Sequence, residues 1–203
     1  MSSEPDSSYI EKVVEFYNQN GQDFYQRTAE LDMAELYDRF LPYLPDEAVI
    51  LDAGCGSGRD ALNFKKFGYE VSAFDASSTL SNLASEKTGL AVRTLAFHDM
   101  DYKEDFDGVW CCASLLHLKG DDLKNAFKRI HRAMKPEGIC FQSFKAKAPE
   151  ADPRFFNAMT LEELVAFNES SGLFELIESW ESEDVRQGQQ TEVWANVIAR
   201  KVD

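Results

Sequence analysis

Short apolar segments alternate with segments of helical periodicity along most of the chain, and this alternation restricts the possible folds more than any other feature. Apolar runs of six or seven residues occupy positions 48–53, 69–74, 91–97, 106–112 and 139–144. Apolar strands separated by helices are typical of a parallel sheet that is covered on both faces. The pattern therefore predicts an α/β fold with a doubly wound sheet, which would bind its ligands at the carboxyl ends of the strands.

Two helices are predicted before the first strand. The first begins at Ser8 and is expected to end at Gly21, and the second runs from about Ala29 to Leu41, before Pro42. The residues that share one face of the first helix are Ile10, Val13, Val14 and Tyr17. The helices between the strands are expected to end near Phe67, Lys87 and Met134.

The last third of the chain carries one more helix and two more strands. Thr160 and Glu163 have capping-box spacing, which predicts a helix that Gly172 ends. The strands are predicted at 174–180 and 193–199, with a polar loop between them.

Length and charge narrow the classes of partner. A chain of 203 residues predicts one domain, and its 36 acidic against 21 basic residues give a net charge of −15. Phosphate binding depends on clustered lysine and arginine, so we expect no nucleic-acid partner. We expect a monomer or a weak homodimer.

The sequence also favours a cytoplasmic protein. No apolar run reaches the roughly 18 residues of a membrane helix, and the N-terminus lacks the features of a secretory signal, so no membrane association is expected. The cysteines show no C-x-x-C spacing, which fits reduced thiols and no metal cluster. They are Cys55, Cys111, Cys112 and Cys140.

A glycine-rich loop follows the first predicted strand, in the segment DAGCGSGR at 52–59. Such a turn between a strand and a helix allows a ligand to approach the backbone closely. The spacing is G-x-G-x-G, because Arg59 stands where the dinucleotide fingerprint has its third glycine, and no P-loop lysine follows. By itself the loop could also be a tight turn, which is the alternative interpretation.

An acid stands at the end of the second predicted strand. The Asp75 carboxylate could accept hydrogen bonds from both hydroxyls of a ribose. The alternative is that Asp75 caps the helix beginning at Ser77. Together, the loop and the acid favour a nucleoside ligand.

These residues resemble the class I S-adenosylmethionine (SAM)-dependent methyltransferases. ILDAGCGSG at 50–58 is similar to the family's motif I, and Asp75 matches its ribose-binding acid. FDGVW at 106–110, LLH at 115–117 and MKPEG at 134–138 match later segments, although glutamate replaces the first glycine of the usual L-K-P-G-G. The resemblance covers about residues 20–200 and is greatest to the small bacterial group around the tellurite-resistance methyltransferases.

The resemblance implies a fold and a division of the chain. It implies a Rossmann-like sheet of seven strands, the last of them antiparallel. Residues 1–203 would form one domain, in which an N-terminal helical cap (1–45) covers the cofactor site of the core (46–203).

The resemblance also implies which residues hold SAM and its product S-adenosylhomocysteine. The loop residues Asp52, Gly54, Cys55 and Gly56 would lie under the methionine part and the ribose. Ala76 and Leu80 would flank the nucleoside, His98, Asp99 and Met100 would meet the adenine, and Cys112 and Ala113 would lie under the methionine carbons. Tyr25, Thr28 and Arg59 are the candidates for the methionine carboxylate. Asp99 could instead be a solvated loop acid, and Tyr25 and Thr28 could lie on the surface.

Methyl transfer requires a nucleophile aligned with an activated methyl group, and a base only if the nucleophile must lose a proton. His117 is the candidate base, with packing as its alternative. The expected acceptor is a small molecule bound by the segment 143–145 with the loop 146–159 after it and by the loop 182–190, whose four bases and four acids leave its charge undecided. They are Lys145, Lys147, Arg154, Arg186, Glu150, Asp152, Glu183 and Asp184. A protein methyltransferase and a non-catalytic SAM-binding protein are the alternatives.

Overall fold

Seven strands form one sheet in the order β3-β2-β1-β4-β5-β7-β6 in the computed structural model, which describes residues 8–186, 188–189 and 191–203. The strands are Val49–Ala53 (β1), Glu70–Asp75 (β2), Arg93–Thr94 (β3), Phe106–Cys111 (β4), Met134–Lys145 (β5), Phe174–Glu183 (β6) and Val193–Lys201 (β7). Strands β1 to β5 pair in parallel, whereas β7 is antiparallel to both β5 and β6. The predicted doubly wound, seven-stranded sheet with an antiparallel last strand is confirmed.

Six α-helices accompany the sheet in the described part of the chain. They are Ser8–Thr28 (α1), Ala34–Phe40 (α2), Arg59–Lys66 (α3), Ser78–Thr88 (α4), Gly120–Ala133 (α5) and Leu161–Ser171 (α6). The predicted capping box of α6 is present, since Thr160 and Glu163 exchange side-chain and backbone hydrogen bonds, and Gly172 ends the helix in the left-handed conformation. No described helix is long and apolar enough to cross a membrane.

The prediction that Gly21 ends the first helix was wrong. Helix α1 continues through Gly21 to Thr28, and Gly21 is buried against α4. A Cβ at this position would lie 2.7 Å from Cγ2 of Thr79, so the glycine allows the two helices to approach closely. The second helix accordingly begins at Ala34, five residues later than predicted.

Two strands also differ from their predicted extent. Only Arg93 and Thr94 pair with β2, and residues 97–99 form a 3-10 turn at the edge of the sheet. Strand β5 begins directly after α5, at Met134, which pairs with Phe106 before a register shift. The shift accommodates Pro136, a residue that regular pairing disfavours.

The core lies on both faces of the sheet, as the continuous apolar strands predict. On one face Trp110 stacks on Phe141 at 4.0 Å between ring centroids, under Phe40 and Phe64. On the other face α5 packs against the sheet through Phe127 and its neighbours. Burying one such large side chain contributes roughly 1.5–3 kcal/mol, so the sheet is a rigid base for the loops at its carboxyl edge.

Candidate functional site

A cavity of about 990 Å³ lies at the carboxyl ends of the strands. The glycine loop, the end of β2 and the segments after β3, β4 and β5 surround it, and α1 covers it with the face that carries Val13 and Tyr17. Sites for small ligands have volumes of about 300–1,000 Å³, so this cavity lies at the upper end of that range.

The glycine loop brings backbone to the wall of this cavity. Gly54 has φ +78°, and a Cβ there would lie 2.5 Å from Cβ of Ser114. Gly56 has φ +55°, and its Cβ would lie 3.1 Å from the ring of Phe24. Any side chain at Gly54 would therefore both strain the loop and displace the segment after β4.

Asp75 lies beside this loop, with its carboxylate in the cavity wall. Oδ2 accepts the N–H of Gly56 at 2.9 Å, and Oδ1 accepts the N–H of Ser77 at 2.8 Å. Ser77 caps α4 with its own hydroxyl, so Asp75 is not the cap. Burial raises the pKa of Asp75 to about 6, although both N–H groups favour the carboxylate. A carboxylate has about four acceptor positions, so two remain for a ligand.

Asp52 does not line the cavity, contrary to its predicted cofactor contact. Its side chain is 2% exposed, and Oδ2 accepts the N–H of Ala61 at 3.0 Å. Asp52 thus holds the start of α3, while the adjacent Cys55 lines the cavity. Asp52 therefore stabilises the junction between the glycine loop and α3 and does not contact the cavity.

Arg59 lines the cavity, but its charge is already paired. Its Nε and Nη2 donate to the two carboxylate oxygens of Asp60 at 2.6 and 2.8 Å. Asp60 also accepts from Oη of Tyr37 at 2.5 Å and Nε1 of Trp110 at 2.9 Å. The guanidinium is therefore fixed in place beside the loop.

None of the three residues predicted to meet the adenine lines the cavity. His98 and Asp99 both have side chains that are 60% exposed and pair with each other, and Met100 is buried outside the cavity. The cavity is lined instead by residues 95–97, of which Phe97 packs edge-on against the ring of Phe74. The 3-10 turn at 97–99 directs Asp99 to solvent.

Some of the residues predicted for the methionine carboxylate line the cavity and others do not. Thr28 lines the cavity, whereas Tyr25 lies outside it, under the ammonium of Lys87 at 5.6 Å. Because α1 continues beyond Gly21, these residues lie on different faces of one helix. Phe24 and Thr28 face the glycine loop, and Tyr25 faces α4.

The segment after β4 forms the floor of the cavity. Ala113 has φ +53° and donates its N–H to Oγ of Ser143 at 2.8 Å. Burial raises the pKa of Cys112 to about 12, so its thiol is neutral. Sequence reasoning missed Ser114, whose buried hydroxyl has no hydrogen-bond partner among the described residues. Leu80 and Ala76 complete the wall opposite.

His117 has both ring nitrogens engaged. Nδ1 lies 2.8 Å from the carbonyl oxygen of Phe155, so this nitrogen carries the proton, and Nε2 accepts from Oη of Tyr17 at 2.9 Å. Burial lowers the pKa of His117 to about 4. The arrangement does not fit the predicted base, because no nitrogen is open to an acceptor and the ring resists protonation.

Tyr17 is the cavity residue to which His117 is attached, and sequence reasoning gave it only a packing role. Its Oη also accepts from Nη1 of Arg154 at 2.7 Å. Arg154 is held by Asp152, and burial raises the pKa of Tyr17. The one available signal was its place on the face of α1 shared with Val13.

The far part of the cavity, which we call the distal lobe, lies over β5 and β7. Trp180, Trp194, Phe156, Lys145, Asp152, Arg154, Asp184, Arg186, Glu192 and Asn196 line it. Lys147 and Glu150, predicted for the substrate loop, lie outside it as an exposed pair. Of the predicted loop 182–190, Gln187 and Gln190 fall outside the described residues.

Two Asp-x-Arg turns of the same form flank the distal lobe. In each, the arginine N–H and Nε donate to the aspartate Oδ1 at 2.9 and 2.8 Å, and Nη2 donates to Oδ2 at 2.5 Å. The pairs are Asp152 with Arg154 and Asp184 with Arg186. Lys145 pairs with Glu192, and burial lowers the pKa of this lysine. In the described ranges no cluster of three or more metal-ligating side chains occurs.

Comparison with known proteins agrees with this geometry. A family model described as a methyltransferase domain matches residues 25–188. The protein YqeM of Bacillus subtilis (strain 168), whose name describes it as a methyltransferase, is 36% identical over 104 residues, which are 47% of this chain and 42% of YqeM. The matched region is thus less than half of that relative.

Solved structures share the fold over nearly the whole chain. The Burkholderia thailandensis 1,6-didemethyltoxoflavin-N1-methyltransferase, solved with its substrate and S-adenosylhomocysteine, has a TM-score of 0.79 at 23% identity and covers 100% of this chain and 93% of its own. A TehB-like SAM-dependent methyltransferase from Corynebacterium glutamicum has a TM-score of 0.64 at 23% identity, covering 93% and 98%.

Proposed function

Because the chain belongs to the methyltransferase domain family, we propose that it is an enzyme that transfers a methyl group from SAM to a small-molecule acceptor. The observation that carries this proposal is the Asp75 carboxylate, which stands beside the glycine loop in the cavity wall with two acceptor positions unused. The fold places this pair where doubly wound sheets bind nucleotides.

The residues of the cavity fit SAM. Asp75 would accept from the ribose hydroxyls, and the backbone at Gly54 and Gly56 would lie under the ribose and the methionine part. Because β3 lies on the far side of β2 from β1, a ribose at Asp75 directs the base toward residues 95–97. The unpartnered hydroxyl of Ser114 would serve the methionine end.

Bound SAM supplies a methyl group that is already activated by the sulfonium charge. The protein then contributes alignment and exclusion of water, which can lower the barrier by several kcal/mol, roughly 7–11 at best. Tyr17 is suited to orient an acceptor, because one lone pair of Oη takes Arg154 and the other is available. We assign His117 to holding Tyr17, not to accepting a proton itself.

The experiment that tests the proposed function is an assay for S-adenosylhomocysteine across hydroxyl, amine, thiol and carboxylate acceptors. We expect turnover with at least one class of small molecule. Transfer confined to protein substrates would replace the small-molecule part of the proposal. Binding of SAM with no transfer to any class would favour the non-catalytic alternative.

The affinity for SAM should fall in acid because the carboxylate of Asp75 is the acceptor. Its pKa of about 6 means that the cavity binds a proton below that pH and must lose it when the ribose binds. Between about pH 7.5 and about pH 5 the dissociation constant should rise about tenfold, since about a tenth of the carboxyl is ionised one unit below its pKa. Calorimetry at several pH values measures this, and an Asp75→Asn variant should give a flat profile. A parent profile as flat as that of the variant would contradict the assignment.

His117→Ala should lower turnover about fivefold and leave the SAM dissociation constant within about twofold of the parent value. The variant loses the hydrogen bond that orients Tyr17, and such a bond contributes roughly 1 kcal/mol. His117→Gln separates positioning from base catalysis. A glutamine can accept from Tyr17 and donate to the Phe155 carbonyl, so positioning predicts recovery of most of the turnover. A glutamine variant as slow as the alanine variant would make His117 the base.

A further inference from the structure

The buried charged side chains of the distal lobe are paired with one another, whereas Glu181 and Glu183, which also line the cavity, are exposed to solvent, and this bears on the acceptor. The ammonium of Lys145 pairs with Glu192, and the side chain of Lys145 is only 9% exposed. Asp184, with a side chain that is 3% exposed, accepts three hydrogen bonds from Arg186 and also accepts Nε1 of Trp194 at 3.0 Å.

The third pair, Asp152 with Arg154, has side chains that are 17% and 18% exposed. Breaking a buried ion pair leaves an uncompensated charge, which is strongly unfavourable. Among the described lobe residues there is therefore no buried free charge to receive an ionic acceptor.

The walls of the lobe combine the paired charges with flat aromatic rings. The rings of Trp180, Trp194 and Phe156 all line it. Lys145 lies over the ring of Trp194 at 5.2 Å, and Arg154 lies over the ring of Phe156 at 4.8 Å. Aromatic side chains of this kind favour a planar guest.

Three acceptor groups that line the cavity in or beside the lobe are available to a donor, namely Oη of Tyr17, Oδ1 of Asn196 and Oε1 of Gln189, the last of which has no hydrogen-bond partner among the described residues. Tyr17 Oη has one unused lone pair, as described above. Asn196 is 1% exposed, and its Nδ2 donates to Oγ of Ser182 at 2.9 Å and to the Trp180 carbonyl at 3.4 Å, which fixes the orientation of the amide. Its Oδ1 has no partner among the described residues. A guest N–H or O–H would relieve this unsatisfied acceptor.

We infer that the methyl acceptor is an uncharged, planar-ring compound that carries an O–H or N–H group. This inference rests on the proposed function, since it assigns the distal lobe to the acceptor and the glycine-loop side to SAM. It excludes carboxylates and ammonium compounds, because each would have to displace an internal partner of its own sign.

The test uses four probes that share one ring, titrated by calorimetry into the protein saturated with S-adenosylhomocysteine. They are 2-naphthol, 2-methoxynaphthalene, 2-naphthoate and naphthalen-2-ylmethylammonium. We expect 2-naphthol to bind about tenfold more tightly than either ion. It should also bind at least about fivefold more tightly than 2-methoxynaphthalene, which lacks the hydrogen-bond donor. Binding of either ion as tightly as 2-naphthol, or no binding of 2-naphthol, would overturn the inference.

A variant that removes the partner of one lobe charge should bind an ionic probe more tightly than the parent does. Glu192→Gln should leave Lys145 without its carboxylate partner and raise the affinity for 2-naphthoate at least about fivefold. Glu150→Gln is the matched control, since it frees Lys147 from a similar but exposed pair outside the cavity and should change nothing. Equal naphthoate affinities in the two variants would refute the role of the paired charges.

Failure of this inference is distinguishable from failure of the proposed function. If S-adenosylhomocysteine itself does not bind, the proposed function fails before any probe is added. If it binds and the parent prefers an ionic probe, only the inference about the acceptor fails.

Discussion

Asp75→Ala should weaken SAM binding by about a hundredfold or more. The substitution removes the acceptor of two ribose hydroxyls, and hydrogen bonds to a charged group contribute about 1.5–3 kcal/mol each. It also leaves the N–H groups of Gly56 and Ser77 without their partner, so the loop itself becomes less ordered. Calorimetric titration of SAM into the variant measures the change.

Asp99→Ala is the matched control. This acid was predicted to bind adenine, but its side chain is 60% exposed and lies outside the cavity. The dissociation constant of the Asp99 variant should stay within about twofold of the parent, as is usual for surface substitutions. A larger loss in the Asp99 variant than in the Asp75 variant would reverse the assignment of the two acids.

Gly54→Ala should destabilise the fold by about 2–5 kcal/mol. The positive φ costs a residue with a Cβ about 1–2 kcal/mol, and the contact at 2.5 Å with Ser114 adds overpacking of about 1–3 kcal/mol. For a chain of this size that corresponds to a melting temperature lower by roughly 5–15 °C. SAM binding should fall as well, because the loop and the segment after β4 must move apart.

Gly172→Ala separates the two contributions. Gly172 has φ +64°, but no atom lies within 4 Å of the position its Cβ would take. The variant is therefore destabilised only by the positive φ. Its melting temperature should fall clearly less than that of Gly54→Ala, and its affinity for SAM should be unchanged. Equal losses of stability in the two variants would show that the close contact with Ser114 is unimportant.

Local patterns in the sequence were sufficient to predict the sheet, the glycine loop and the acid after β2. Apolar runs bounded by turns define buried strands, and the position of Asp75 depends only on the end of β2. The capping box at Thr160 is also a local signal, and it is confirmed.

The errors arise where long-range packing decides. The sequence does not distinguish a glycine that ends a helix from one that allows two helices to touch, so Gly21 was misinterpreted. The resemblance proposed Tyr25 for the cofactor site without showing which face of the helix it occupies. The end of β3 depends on pairing with β2, which stops at Thr94, and therefore residues 95–97 line the cavity and residues 98–100 do not. Periodicity placed Tyr17 on the buried face of α1, but only the fold shows that this face covers a cavity.

The most direct test of this account is a crystal structure of the protein grown with S-adenosylhomocysteine. We predict one ligand in the cavity, its ribose hydroxyls on the carboxylate of Asp75, its base against residues 95–97 and its methionine part over Gly54. A ligand bound elsewhere, or a cavity without ligand at saturating concentration, would contradict the proposed site.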